Sequence, residues 1–83
     1  MMKLSIAKIG VKYRVLEVDL EGAVARRLEV LGLIKGTTIE LLEQKRNGAV
    51  IFRIRGTRLA VGKNIADGIS IERSNPNETK GSR

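Results

Sequence analysis

Five short runs of strand-forming residues, separated by glycine-bearing turns, surround a single stretch of helical spacing, all within 83 residues. The runs fall at 11–20, 37–43, 50–55, 58–61 and 69–72. A sheet of this many short strands in so small a chain has long edges relative to its core, and curling the sheet into a closed or nearly closed barrel is the usual way to remove them. Tyr13 and Phe52 are the only aromatic residues, so Val, Ile and Leu must fill the interior, and β-branched residues favour pleated sheet. The reading is therefore a mainly β fold, a small barrel of about five strands with a short inserted helix over residues about 23–31. An open α+β sheet is the alternative.

Local signals place the elements. Leu4, Ile6 and Ile9 form an apolar lead-in that stops at Gly10. In the first strand Tyr13 and Val15 share one face, whereas Leu16, Val18 and Leu20 take the other, a switch that predicts a bulge or strong coiling. Glu21-Gly22 breaks that strand. Val24, Leu28 and Leu31 then recur at i, i+4 and i+7, the spacing of one helical face. A helix of about ten residues is too short to persist alone, so it must dock on a core. Gly32 is placed as the residue just past the helix end, where a left-handed backbone suits glycine. Gly36 launches the next strand, and Asn47-Gly48 is a hairpin signal. Beyond it Val50, Phe52 and Ile54 alternate with Ile51, Arg53 and Arg55, and Gly56-Thr57 turns the chain again. Gly10, Gly22, Gly32, Gly36, Asn47, Gly48 and Gly56 are thus read as turn and cap positions. Residues 62–68 have room for one helical turn. Residues 1–73 form the domain, and the polar tail 74–83 is expected to be disordered.

Composition excludes much chemistry. With neither His nor Cys, there is no ordinary nucleophile–base pair, no disulfide and no zinc knuckle. Glu17, Asp19 and Glu21 lie at a strand end, too few oxygens for a hard-cation site without a wrapping loop. No P-loop is present. We therefore expect no catalytic residue, no cofactor and no stable metal site. No apolar stretch approaches the ~20 residues of a membrane span, and the N-terminus lacks a signal-peptide pattern, so the chain reads as cytoplasmic.

Sixteen Lys and Arg against nine Asp and Glu give a net charge of +7; residues 74–83 hold only Lys80, Arg83 and Glu78, which leaves 14 against 8 in the rest. A basic domain favours anionic partners: nucleic acid, an acidic protein face, or peripheral contact with an anionic membrane surface. Lys45, Arg46, Arg53, Arg55 and Arg58 gather around the hairpin. Nucleic acid is the weaker reading, because no stacking aromatics are interleaved with them. Arg26 and Arg27 on the helix suit either docking or insertion as an arginine finger into a partner's guanine-nucleotide site.

In order, Gly10, Gly22, Arg26-Arg27-Leu28, Leu31-Gly32-Leu33 and Gly36, followed by Ile54-Arg55-Gly56-Thr57-Arg58-Leu59-Ala60 with Ala66 and Ile69, resemble the FeoA family, the small cytosolic component of bacterial ferrous iron transport. The resemblance spans roughly residues 4–72. It implies an SH3-like barrel and an accessory role beside FeoB, the membrane permease with a guanine-nucleotide-binding domain. The chain departs from the family pattern at Lys35, where Pro is common, and at Gly62, where a Leu-Arg pair often ends the short strand. Taken with the charge pattern, it points to a non-catalytic docking module whose partner-binding residues are Arg26, Arg27, Glu29, Leu33, Ile34, Arg53, Arg55 and Arg58. A nucleic-acid-binding barrel and a trans-acting GTPase activator are the alternatives.

Overall fold

The computed structural model describes residues 2–74. Its strands are β1 (Met2–Lys3), β2 (Lys12–Val18), β3 (Thr38–Gln44), β4 (Val50–Ile54), β5 (Thr57–Val61) and β6 (Ile69–Arg73). Helix α1 (Gly22–Val30) joins β2 to β3, α2 (Lys63–Asp67) joins β5 to β6, and a 3-10 turn covers Leu4–Ile6. All five expected strands form. The sixth, β1, is a two-residue strand that precedes the apolar lead-in and carries no strand signal of its own.

Every strand pairing is antiparallel, in the order β1-β6-β2-β3-β4-β5. One cluster collects the inward residues of the whole sheet: Tyr13 and Val15, Ile39 and Leu41, Val50, Phe52 and Ile54, Val61, and Ile69 and Ile71. A flat sheet cannot direct six strands at one core, so the sheet curls into a barrel, yet β1 and β5 do not pair and both remain edges. Two irregularities supply the curl. The register of β2 against β6 shifts between Val15 and Glu17, as the face switch predicts, and that of β3 against β4 shifts between Leu41 and Glu43. Leu4 and Ala7 near the 3-10 turn, Ala66 of α2, and Leu28 and Leu33 complete the core.

Among the described residues, every buried side-chain nitrogen and oxygen has a hydrogen-bond partner. The Tyr13 hydroxyl accepts a hydrogen bond from the Lys8 N–H at 2.8 Å, and Gln44 Nε2 donates to the Ser5 carbonyl at 2.6 Å. The Ser5 hydroxyl donates to Asp67 Oδ1, tying the 3-10 turn to α2, while Lys63 Nζ donates to Asp67 Oδ2 at 2.9 Å. The Ser5 hydrogen bond, and then Lys63, hold the Asp67 carboxyl below its ordinary value of 3.8. A depressed carboxylate stabilises the fold above its unfolded value, and that contribution is lost as pH falls through the folded value. Asp67→Asn is therefore expected to lower the melting temperature at neutral pH, with the gap to the native chain closing below about pH 4. A gap that stays constant from pH 7 to pH 3 in thermal melts would show that the charge of Asp67 contributes nothing.

Order extends one residue past the expected domain end, because the Ser74 N–H donates to the Lys12 carbonyl at 2.9 Å. The rest of the expected disordered tail lies outside the described residues. Among the described residues, no helix is long and apolar enough to cross a membrane.

Candidate functional site

The corner after α1 is built by hydrogen bonds that glycine makes possible. The Gly32 N–H donates to the Glu29 carbonyl at 3.0 Å and the Leu33 N–H to the Leu28 carbonyl at 2.9 Å, with Gly32 at φ +103°. This pairing is a Schellman cap, and its customary apolar contact is supplied by Leu28 and Leu33, both buried. Gly36, at φ +94°, then donates to the Val15 carbonyl at 2.7 Å and delivers the chain to β3. Leu33 consequently packs into the core at 2% exposure, while also lining the second cleft described below, whereas Ile34 stands 42% exposed.

Helix α1 sits less deeply than its periodicity predicts. Of the three residues on its apolar face only Leu28 is buried; Val24 and Leu31 remain 43% and 38% exposed. They face β5 and α2 across a groove of about 370 Å³ lined by Val24, Arg27, Leu28, Leu31, Leu59 and Ile65, among others. Because β5 is an edge strand, no further strand fills that space. A second cleft, of about 320 Å³, lies on the other side of the helix between Glu29, Ile34, Lys35 and Val18.

The basic hairpin differs from expectation in its turns. Ile54 pairs with Thr57, so the two-residue turn is Arg55-Gly56, and both residues have positive φ, +50° and +78°. This is the signature of a type I′ turn, with arginine at a position that favours Asn, Asp or Gly. At Asn47-Gly48 the reverse holds. Only Gly48 has positive φ, the Lys45 N–H donates to the Ala49 carbonyl at 2.8 Å, and Asn47 Oδ1 accepts from the Ala49 N–H at 3.0 Å, a three-residue loop ending in a left-handed glycine. Arg55 therefore leaves the strand, while Arg53 stays on it.

Cross-strand register aligns Lys12, Glu40, Arg53 and Arg58 in one row over β2, β3, β4 and β5. Glu40 accepts from Arg53 at 3.0 Å. Lys12, Thr38, Glu40, Arg53, Arg55 and Gly56 line a cleft of about 210 Å³. The Arg55 side chain lies over Gly32, so close that a β-carbon there would come within 2.9 Å of its Cδ. The structure thus divides the expected partner-binding residues. Arg53 and Arg55 share this cleft, with Arg58 beside Arg53; Arg27 borders the apolar groove; Glu29 and Ile34 border the second cleft; Arg26 is exposed on α1 and borders none of the three. Sequence reasoning missed Lys12 and the groove. The signal for the groove was present, since Val24 and Leu31 were assigned to the buried face. Tyr13 and Phe52 are both buried, so neither can stack on a base. Among the described residues, no three acidic side chains gather to hold a metal ion.

No curated protein matches the chain at a significant level. Solved structures do. The FeoA protein of Chlorobium tepidum is 35% identical, with a TM-score of 0.81 over 89% of this chain and 71% of that one. An iron uptake regulatory protein (FeoA) is 34% identical, with a TM-score of 0.75 over 88% and 97%. The FeoA of Stenotrophomonas maltophilia, solved with zinc and described as an SH3-domain protein and candidate activating factor of ferrous iron transport, is 27% identical, with a TM-score of 0.74 over 87% and 91%. The FeoA domain matches residues 2–73. That match takes in every strand of the barrel, and the chain belongs to the FeoA family, which is associated with ferrous iron transport.

Proposed function

We propose that this chain is a non-catalytic accessory module of ferrous iron uptake that docks, in the cytoplasm, on the cytosolic GTP-binding part of a FeoB-like transporter. The observation that carries the proposal is the groove between α1 and the free edge of β5. It leaves Val24 and Leu31 partly exposed against Leu59 and Ile65, with Arg27 at its rim. An apolar trough with an arginine beside it is the composition of a protein-docking hot spot. Membership of a family associated with ferrous iron transport supports a FeoB-like partner, and the net charge of +7 favours an acidic face on it.

The test is titration of the full chain with the purified cytosolic GTP-binding part of a FeoB-like transporter. Leu31→Asp places a charge in the groove without touching the buried core and is expected to weaken binding by at least about tenfold. Arg27→Ala should cost less and chiefly reduce the association rate. Native-like affinity in Leu31→Asp would remove the groove from the interface. Failure of the native chain to bind at all would remove the proposal.

A further inference from the structure

The cleft between β2, β3 and the β4–β5 turn has a different chemistry from the groove and does not depend on the docking reading. We infer that it is a binding site for a phosphate group, with Arg55 as its principal donor and Lys12 as its second charge.

Three observations converge on this. The first is charge. Lys12, Arg53 and Arg55 line the cleft with Glu40 as the sole acid, and Arg53 is already committed to Glu40 at 3.0 Å. Among the described residues neither Lys12 nor Arg55 finds a carboxylate, so two cations remain unneutralised in one concavity. A carboxylate would balance one of them, whereas a phosphate monoester, carrying about −1.5 to −2 at pH 7, balances both.

The second is backbone strain. Arg55 is the only non-glycine residue with positive φ among the described residues. A left-handed backbone is strained for an ordinary side chain, and residues held in such conformations cluster at functional sites. Glycine or asparagine would form the same turn with less strain, so the turn itself gives no reason for arginine.

The third is room. The guanidinium end of Arg55, its Cδ, Nε and Cζ, lies over Gly32, whose missing side chain makes the room for it. Seated there, the guanidinium can offer its planar donor fork to two oxygens of one phosphate. Thr38 adds a hydroxyl to the wall, and Gly56 leaves the rim clear of side chain. The volume, about 210 Å³, admits a phosphate together with part of the group that bears it.

Two sources present this chemistry, a small phosphorylated solute and the headgroup of an anionic lipid. They are separated by two arms of one experiment on the isotopically labelled full chain at constant ionic strength. In one arm the amide and Arg55 side-chain resonances are followed during titration with inorganic phosphate at pH 7.5. In the other, binding to phosphatidylglycerol vesicles is compared with binding to phosphatidylcholine vesicles. Saturable shifts centred on Lys12, Thr38, Arg55 and Gly56 with phosphate assign a solute; saturable binding to the anionic vesicles alone assigns a headgroup. In either case Arg55→Gly is expected to weaken binding by about tenfold or more, with a melting temperature equal to or above that of the native chain, because glycine relieves the strained turn. Arg46→Gln, in the other hairpin, should change nothing. If neither arm saturates, or if Arg55→Gly and Arg46→Gln weaken binding equally, the cleft is ordinary basic surface and the inference is overturned.

Discussion

Phe52→Ala is expected to lower the unfolding free energy by about 3–5 kcal/mol, the range for removing a fully buried aromatic ring. Phe52 has no exposed surface and lies at the centre of β4, level with Leu41 on one neighbouring strand and Leu59 on the other. The remaining aromatic residue, Tyr13, is itself buried and its hydroxyl accepts from the Lys8 N–H at 2.8 Å. A domain of about seventy residues has a total stability of roughly 4–10 kcal/mol. The substitution therefore removes a large share of it, and urea unfolding of Phe52→Ala should begin at little or no denaturant. Phe52→Leu retains most of the volume and should cost less than about 2 kcal/mol. Equal midpoints for Phe52→Ala and the native chain would contradict the assignment of this ring to the centre of the core.

The second large effect is expected at Gly32. Its φ of +103° lies where a side chain is strained, and a β-carbon would come within 2.9 Å of Arg55 Cδ and 3.2 Å of Arg55 Nε. The backbone term alone is about 1–2 kcal/mol for Gly32→Ala, and Gly32→Val adds the crowding of a branched side chain. The arginine is flexible and can swing away, so most of the cost stays with the backbone. That separation is measurable. Gly32→Ala should lose about the same stability whether position 55 is Arg or Gly, while losing phosphate affinity only when Arg55 is present. A melting temperature in Gly32→Ala equal to that of the native chain would show that the cap does not need a left-handed residue.

These two positions also show what the sequence discloses and what it withholds. Phe52 alternates with Val50 and Ile54, and period-2 alternation is direct physical information about which face is buried. Gly32 follows a helical run at the distance where a cap belongs, and the Schellman hydrogen bonds occur there. Local rules of this kind placed five strands, the helix and the bulge in β2. Where the sequence misled, a tertiary contact had overridden a local rule. Val24 and Leu31 carry the spacing of a buried helical face, yet β5 is an edge and the helix hangs beside it with only Leu28 inserted. Leu33 is adjacent to the exposed Ile34 and was read with it, but capping geometry turns Leu33 inward. Asn47-Gly48 does mark the β3–β4 hairpin, in a three-residue loop, whereas the tighter two-residue turn falls at Arg55-Gly56, where the arginine gives no such signal. Lys12 belongs to the cleft through cross-strand register, a relation between residues 12, 40 and 53 that no short window contains.

The position of β6 has a consequence for how the molecule is made. This strand is the last to be synthesised, yet it lies between β1 and β2, the first two. While residues 69–73 remain inside the ribosome, β1 has no neighbour and Val15 faces an unfilled place where Ile71 belongs. The barrel cannot zip up progressively from its N-terminus: β2 can pair with β3 early, but β1 and the other edge of β2 must wait for β6, which closes the sheet in one late event. Slowing translation within the domain should therefore lengthen the interval of exposure to proteases without producing a folded half, and release of the final strand should make the chain resistant in a single step.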